Sequence, residues 1–277
     1  MGLVSFEEYA EHYKENNGIA FFINGTAGAV ARTGSTFKIG SPVVNTTPTL
    51  ATALYASSLG ENNNFPLPFR TDNAPSAYYV MAARINPATV LAGSYTLCDR
   101  LSHQGNLNAT ATTTQTTNLP TAALPRYTDG VGVMMALEIY TQIGSTASSF
   151  TVSYTNSDGT PGRTSPPMTI GGTGFREANR FIQIPLASGD KGVRSVESIT
   201  LAGNTGTAGA MGITLYKPLA MFNINNSDGP NIMDPIGGGH VGPLVGVDPN
   251  AYLFFVTIGN VATVGCSGFI FICDGNT

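Results

Sequence analysis

The sequence predicts an all-β protein: an antiparallel β-sandwich with one short N-terminal helix and extended arms. Three observations carry that expectation. The 277 residues include 33 Gly, 17 Pro, 33 Thr and 22 Asn, residue types that favour turns and strands over helices. Apolar segments of strand length recur from residue 19 onward, with no regular alternation of strand and helix that would build a parallel sheet. Between two of them stands Asn156-Ser157-Asp158-Gly159, and Asp-Gly is a strong hairpin signal.

The helix comes first. Ser5 and Glu8 form a capping box, and Phe6, Tyr9, Ala10 and Tyr13 recur at i, i+3, i+4 and i+7. Glu7, Glu8 and Glu11 suit the positive end of the helix dipole, and Gly18 is placed to stop the helix. Such a helix either caps one end of the β core or is displayed for a neighbouring subunit, with Phe6, Tyr9 and Tyr13 as the docking face.

The period then changes to that of strands. Strand patterns are read at 19–23, 37–39, 78–85, 90–97, 131–143, 150–154, 181–186, 193–201, 211–216, 252–258 and 268–273. In 193–201, Val193, Ser195, Ile199 and Leu201 alternate with Arg194, Glu197 and Thr200, and the pattern slips by one near Val196, as a bulge produces. Three stretches read as connections. Residues 40–76 hold five prolines; 102–125 hold no Asp, Glu, Lys or Arg; 223–249 hold Gly237-Gly238-Gly239 and four prolines. The expected organisation is a helix at 1–18, an extended arm with short strands at 19–76, a main sandwich at 77–222, and a Gly/Pro-rich connection with C-terminal strands at 223–277.

Charge restricts the partners. The formal net charge is −4 and only 11% of residues are charged, which leaves no basic surface to neutralise a phosphate backbone. No apolar window reaches the roughly 20 residues of a membrane-spanning helix. Direct nucleic-acid and membrane partners are therefore not expected. Cys98, Cys266 and Cys273 sit in apolar strand contexts without CxxC spacing and read as free thiols. In a chain so rich in Asn and Thr, the sequons at Asn24, Asn45, Asn108 and Asn225 read as chance.

No catalytic constellation stands out in the sequence. His12, His103 and His240 are isolated in sequence. Gly265-Cys266-Ser267-Gly268 lacks nucleophile-elbow spacing, and Gly171-Gly172-Thr173-Gly174 and Gly130-Val131-Gly132 lack the remainder of a phosphate or dinucleotide loop. These read as turn and strand glycines. Asp72, Asp99, Asp129, Glu138, Asp158 and Glu177 are too scattered to single out a glycosidase pair. Asp228, Asp234 and Asp248 offer oxygen ligands for calcium but read as solvated turn carboxylates. Arg176, Glu177 and Arg180 form a charge cluster beside a strand, suited to a local ion-pair face or to a contact between subunits. No catalytic residue, cofactor or metal ligand is assigned, and an enzyme is not expected.

The stretch from Phe150 to Leu219, which opens FTVSYTNSDGTPGRTSPPMTIGGTGFREANR, resembles the Thr/Gly-rich β-sandwich of tailed-bacteriophage virion proteins, particularly those that decorate or cement the capsid. The resemblance covers about residues 77–222 and is one of texture, without a diagnostic motif. It implies a jelly-roll-like or related sandwich in a non-enzymatic virion protein, made in the host cytoplasm, that forms a homo-oligomer, a dimer or trimer, and binds a lattice of major capsid subunits. It implies no catalytic residues. Low Lys content and polar Thr/Asn surfaces suit close, wet packing between subunits, and extended arms can add strands to a neighbour. A tail, neck or fibre component would use the same sandwich. So would a carbohydrate- or receptor-binding module, although the chain has no Trp to stack a sugar.

Overall fold

Turn-rich sequence and strand-length apolar segments become seventeen strands among the described residues of the computed structural model. The backbone is described at residues 18–26, 36–38, 52–54, 78–87, 93–117, 119, 124–172, 174–178, 180–224, 231–233, 245–248, 251, 253–259 and 265–274, and side chains from 96 onward within that set, up to 221 and at 246–248, 251, 253, 254 and 256. In chain order the strands are β1 (Gly18–Thr26), β2 (Thr36–Lys38), β3 (Thr52–Leu54), β4 (Tyr78–Pro87), β5 (Gly93–Leu107), β6 (Gln115–Thr116), β7 (Met134–Thr141), β8 (Ser148–Asn156) and β9 (Arg163–Thr164). They continue with β10 (Met168–Ile170), β11 (Arg180–Ile184), β12 (Val193–Leu201), β13 (Ala210–Ile224), β14 (Asn231–Met233), β15 (Val245–Val247), β16 (Leu253–Gly259) and β17 (Gly265–Asp274). Each of the eleven strand patterns read from sequence overlaps one of these. The predicted helix, with Phe6, Tyr9 and Tyr13, lies outside the described residues.

Every strand pairing is antiparallel. The strands form three sheets. A seven-stranded sheet runs β11-β7-β13-β5-β16-β2, with β3 beyond β16 along the same edge of β5. A five-stranded sheet runs β10-β8-β12-β6, with β9 on β8. A terminal sheet joins the first strand to the last, β1-β17-β4, with β14 and β15 sharing the far edge of β4.

The first two sheets make the sandwich. β8 alternates cleanly: Phe150, Val152 and Tyr154 are buried while Ser149, Thr151, Ser153 and Thr155 face outward. These apolar residues meet Val196, Ile199 and Leu201 of β12 and Met135, Leu137, Ile139, Ile213 and Leu215 of the seven-stranded sheet in one continuous core. At ~1.5–3 kcal/mol per fully buried large apolar side chain, this interface is the main source of the fold's stability. The predicted Asp-Gly turn is present: Gly159 N–H donates to Asn156 O at 3.0 Å, with Gly159 at φ +82°, and joins β8 to β9.

The slip read near Val196 is two bulges. Val193, Val196, Ile199 and Leu201 point into the core at spacings of three, three and two, because register shifts fall between Val193 and Ser195 and between Val196 and Ser198. Ser195, expected on the apolar side, is buried, yet it is in register with Thr155 and its hydroxyl donates to Glu197 at 3.2 Å.

The opposite face of the seven-stranded sheet is also buried. Cys98, Ala136, Phe181, Tyr216, Phe254 and Val256 form a second apolar cluster there, with the Phe181, Tyr216 and Phe254 rings in edge-to-face contact at 5.0–6.3 Å. Between the two clusters β7 is buried on both faces from Met135 to Ile139, which explains why it reads as a near-continuous apolar run rather than an alternation.

Candidate functional site

Among the described residues, a cluster of five polar side chains lies on that second face, beside the aromatic cluster. The bottom of the site is the Arg100–Glu138 ion pair, 2.7 Å between Nη1 and Oε1, with side chains only 10% and 7% exposed. Thr214 donates a short hydrogen bond to the same Oε1, and its oxygen lies 2.7 Å from His103 Nδ1. Tyr140 Oη lies 2.7 Å from His103 Nε2 and 3.2 Å from Nδ1, and the two rings meet edge to face. Arg100 also stacks over Phe254 at 4.8 Å.

Electrostatics follow from burial. Desolvation alone would raise the Glu138 carboxyl, but the Arg100 guanidinium, His103 and the Thr214 hydroxyl together hold it below the usual carboxylate range. Desolvation pushes the His103 imidazole down to about 4, with Glu138 pulling the other way and Arg100 adding to the depression. The ring is neutral over the physiological range.

Three strands bring these residues together: β5 supplies Arg100 and His103, β7 supplies Glu138 and Tyr140, and β13 supplies Thr214. In sequence His103 lies in the charge-free stretch read as a connection from 102. The structure runs β5 through to Leu107. The strand was hidden because two register shifts against β13 break its alternation, one between Arg100 and Ser102 and one between Gln104 and Leu107. The isolation of His103 in sequence is thus reversed by the fold.

On the other side of β5, Asp99 takes a two-pronged ion pair from Arg126, with Nε and Nη2 each 2.7 Å from a carboxylate oxygen. Arg126 Nη2 also donates to Arg100 O at 3.0 Å. Asp99 and Glu138, both among the scattered carboxylates of the sequence, therefore serve separate arginines. A third cluster tethers the sandwich rim. Tyr154 Oη donates to Asp190 at 2.5 Å and accepts from Ala187 N–H at 2.7 Å, while Asn156 and Arg163 also donate to Asp190.

The remaining predicted positions are local. Arg180 Nε lies 3.2 Å from Glu177 Oε2, Arg176 Nε lies 4.0 Å from Oε1, and Arg180 stacks over Phe175 at 5.3 Å. The Gly171–Gly174 segment is a turn, closed by Gly174 N–H to Gly171 O at 2.7 Å with φ of +66° and +53° at Gly171 and Gly172. Asp228 and Asp234 lie outside the described residues, and among the described residues no group of three His, Cys, Asp or Glu is placed to hold a metal ion.

The outer face of the five-stranded sheet is different in kind. Glu197 accepts from the hydroxyls of Ser153, Thr155 and Ser195 at 3.4, 2.5 and 3.2 Å, and Thr114 and Thr200 share a 3.0 Å hydrogen bond. This face is rich in hydroxyls and poor in charge. Its outward positions on β8 and β12 carry no aromatic ring.

No protein-family model matches the chain, and no curated protein matches it. Among solved structures, one of infectious bursal disease virus strain Gt is 10% identical, aligning 93% of this chain with 80% of that chain at a TM-score of 0.19. The VP2 subviral particle of the same virus is 9% identical, over 93% of this chain and 80% of that chain, at 0.16. TM-scores this low do not establish a shared fold, and no property of this chain follows from them.

Proposed function

We propose that the chain is a non-enzymatic structural protein of a virus particle, and more narrowly a decoration or cement subunit that binds a phage capsid lattice as a homo-oligomer. The observation that carries this reading is the outer face of β8 and β12, where the partly exposed Ser153 and Thr155 hydroxyls flank one carboxylate, Glu197, and Ser149, Thr151, Ser198 and Thr200 are partly exposed as well. Surfaces of this kind suit close, hydrated packing against neighbouring subunits, where long charged side chains would cost conformational entropy. A lattice binder needs stability and many modest contacts. The continuous apolar core of the sandwich supplies the former, and the buried charges beside it are paired, Arg126 with Asp99 and Arg100 with Glu138. Binding only the assembled shell would stabilise that shell by mass action.

A tail, neck or fibre role uses the same architecture and differs in copy number. A glycan-binding role is the less favoured reading, because the outward positions of β8 and β12 offer hydroxyls and no stacking platform.

The test is to measure the solution mass of the purified chain by light scattering, then mix it with expanded empty shells and count bound copies. Hundreds of copies per particle, delivered by a dimer or trimer, support lattice decoration. A dozen or fewer point to a vertex, neck or tail position, and no binding overturns the capsid reading.

A further inference from the structure

The hydrogen-bond chain around His103 has a single polarity. Thr214 gives its only hydroxyl proton to Glu138, so at the 2.7 Å contact with His103 its oxygen accepts and Nδ1 carries the ring proton. Nε2 is then the bare nitrogen, and Tyr140 Oη, 2.7 Å away, donates to it. The order is Tyr140 to His103, His103 to Thr214, and Thr214 to Glu138, with Arg100 closing the buried end. Every proton along this path is committed. A second ring proton at Nε2 meets a hydroxyl that is already pointing its own proton at that nitrogen.

We propose that His103 is an acid-sensitive latch: protonation at Nε2 reverses the Tyr140 hydrogen bond, places a second cation beside Arg100, and loosens the layer formed by β5, β7 and β13. The groups that face the ring among the described residues are Arg100 on β5, Glu138 and Tyr140 on β7, and Thr214 on β13. Glu138 is the one carboxylate in that set, and Arg100 and Thr214 already occupy the oxygen nearest the ring, 3.9 Å from Nδ1. The new charge therefore has no uncommitted counter-ion there. Tyr140 is the half-buried member of the chain, so the proton enters at its end. The latch is independent of the virion reading and holds for any role of the fold.

Burial accounts for the working range. The imidazole, ordinarily near 6.5, is held down to about 4 in the folded chain. Between those values the unfolded chain binds the extra proton, so stability is complete above about pH 6.5 and declines as pH falls toward 4. Glu138, itself held below its ordinary range, extends the loss to lower pH.

The experiment is equilibrium unfolding of the full chain in urea from pH 7.5 to 3.5, for the wild type and for His103→Gln. The wild-type folding constant is expected to fall between pH 7 and 4 on the order of a hundredfold more than that of the variant. Equal slopes for the two proteins overturn the proposal. Should His103→Gln not fold, carbon-13 histidine NMR on the wild type decides. A buried imidazole protonated on Nδ1 at pH 7 and titrating well below 6, with the Tyr140 ring signals moving in step, supports the latch. An Nε2-protonated ring, or a titration near 6.5 that leaves Tyr140 unmoved, overturns it.

Discussion

Arg100 and His103 lie three residues apart on one strand and face the same side of the seven-stranded sheet. In a regular strand an odd separation puts side chains on opposite faces. The register shift between Arg100 and Ser102 restores them to one face, and the second shift, between Gln104 and Leu107, returns Leu107 to the sandwich core alongside Leu101. Two bulges thus re-aim a short segment of β5 while leaving the strand's apolar phase intact on either side.

Gly212 on β13 makes that bulge possible. A Cβ at this position would lie 2.4 Å from Gln104 O, 2.7 Å from His103 Cε1 and 2.9 Å from Gly105 Cα. Gly212→Ala is expected to destabilise the fold by about 1–3 kcal/mol through overpacking against backbone, as measured by urea unfolding. A neutral result would show that β5 relaxes without it.

The Asp99–Arg126 pair is buried, with side chains 0% and 3% exposed. Removing the cation alone leaves a buried carboxylate short of its partner. Arg126→Met is expected to cost about 3–5 kcal/mol, and combining it with Asp99→Asn is expected to recover a large part of that loss. A double variant as unstable as the single one would refute the pairing as the source of the cost.

The bulged register of β12 makes a sharp contrast between neighbours. Val196 is 0% exposed and packs in the sandwich core, whereas Glu197 faces the hydroxyl surface. Val196→Ala is expected to cost about 2 kcal/mol, and Glu197→Ala under about 1 kcal/mol. Comparable costs at both positions would contradict the register.

At the sandwich rim, burial raises the Asp190 carboxyl, but hydrogen bonds from Arg163, Tyr154 and Asn156 outweigh it and hold the group down to about 2. Its contribution is present above the ordinary value of 3.8 and is lost as pH falls through about 2. In unfolding experiments between pH 4 and 2, Asp190→Asn is expected to flatten the acid limb seen for the wild type.

Cys266 and Cys273 lie on the same strand, β17, and at 3.2–3.4 Å per residue their Cα atoms are roughly 23 Å apart, far beyond disulfide reach. The Cys98 thiol is buried, donates to Thr96 O at 3.6 Å, and is pushed well above its ordinary range by desolvation. Alkylation of the unreduced, denatured chain should add three labels. The native chain should protect Cys98.

By itself the sequence determined the class of this protein: strand-length apolar segments, turn residues between them and scarce charge leave an antiparallel β architecture as the consistent outcome, and the eleven strands and the Asp158-Gly159 turn follow from local patterning. Local patterning is blind to pairing. Strands as short as β3, β6 and β9, with three, two and two residues, have too little period to read, and they exist because a longer neighbour offers a hydrogen-bonding edge. The bulges of β5 and β12 break the period that sequence reading relies on. Only the tertiary structure decided that His103, Glu138 and Thr214, separated by 35 to 111 positions, share one buried hydrogen-bond chain, because register between distant strands is set by how whole sheets bury their faces and not by any segment alone.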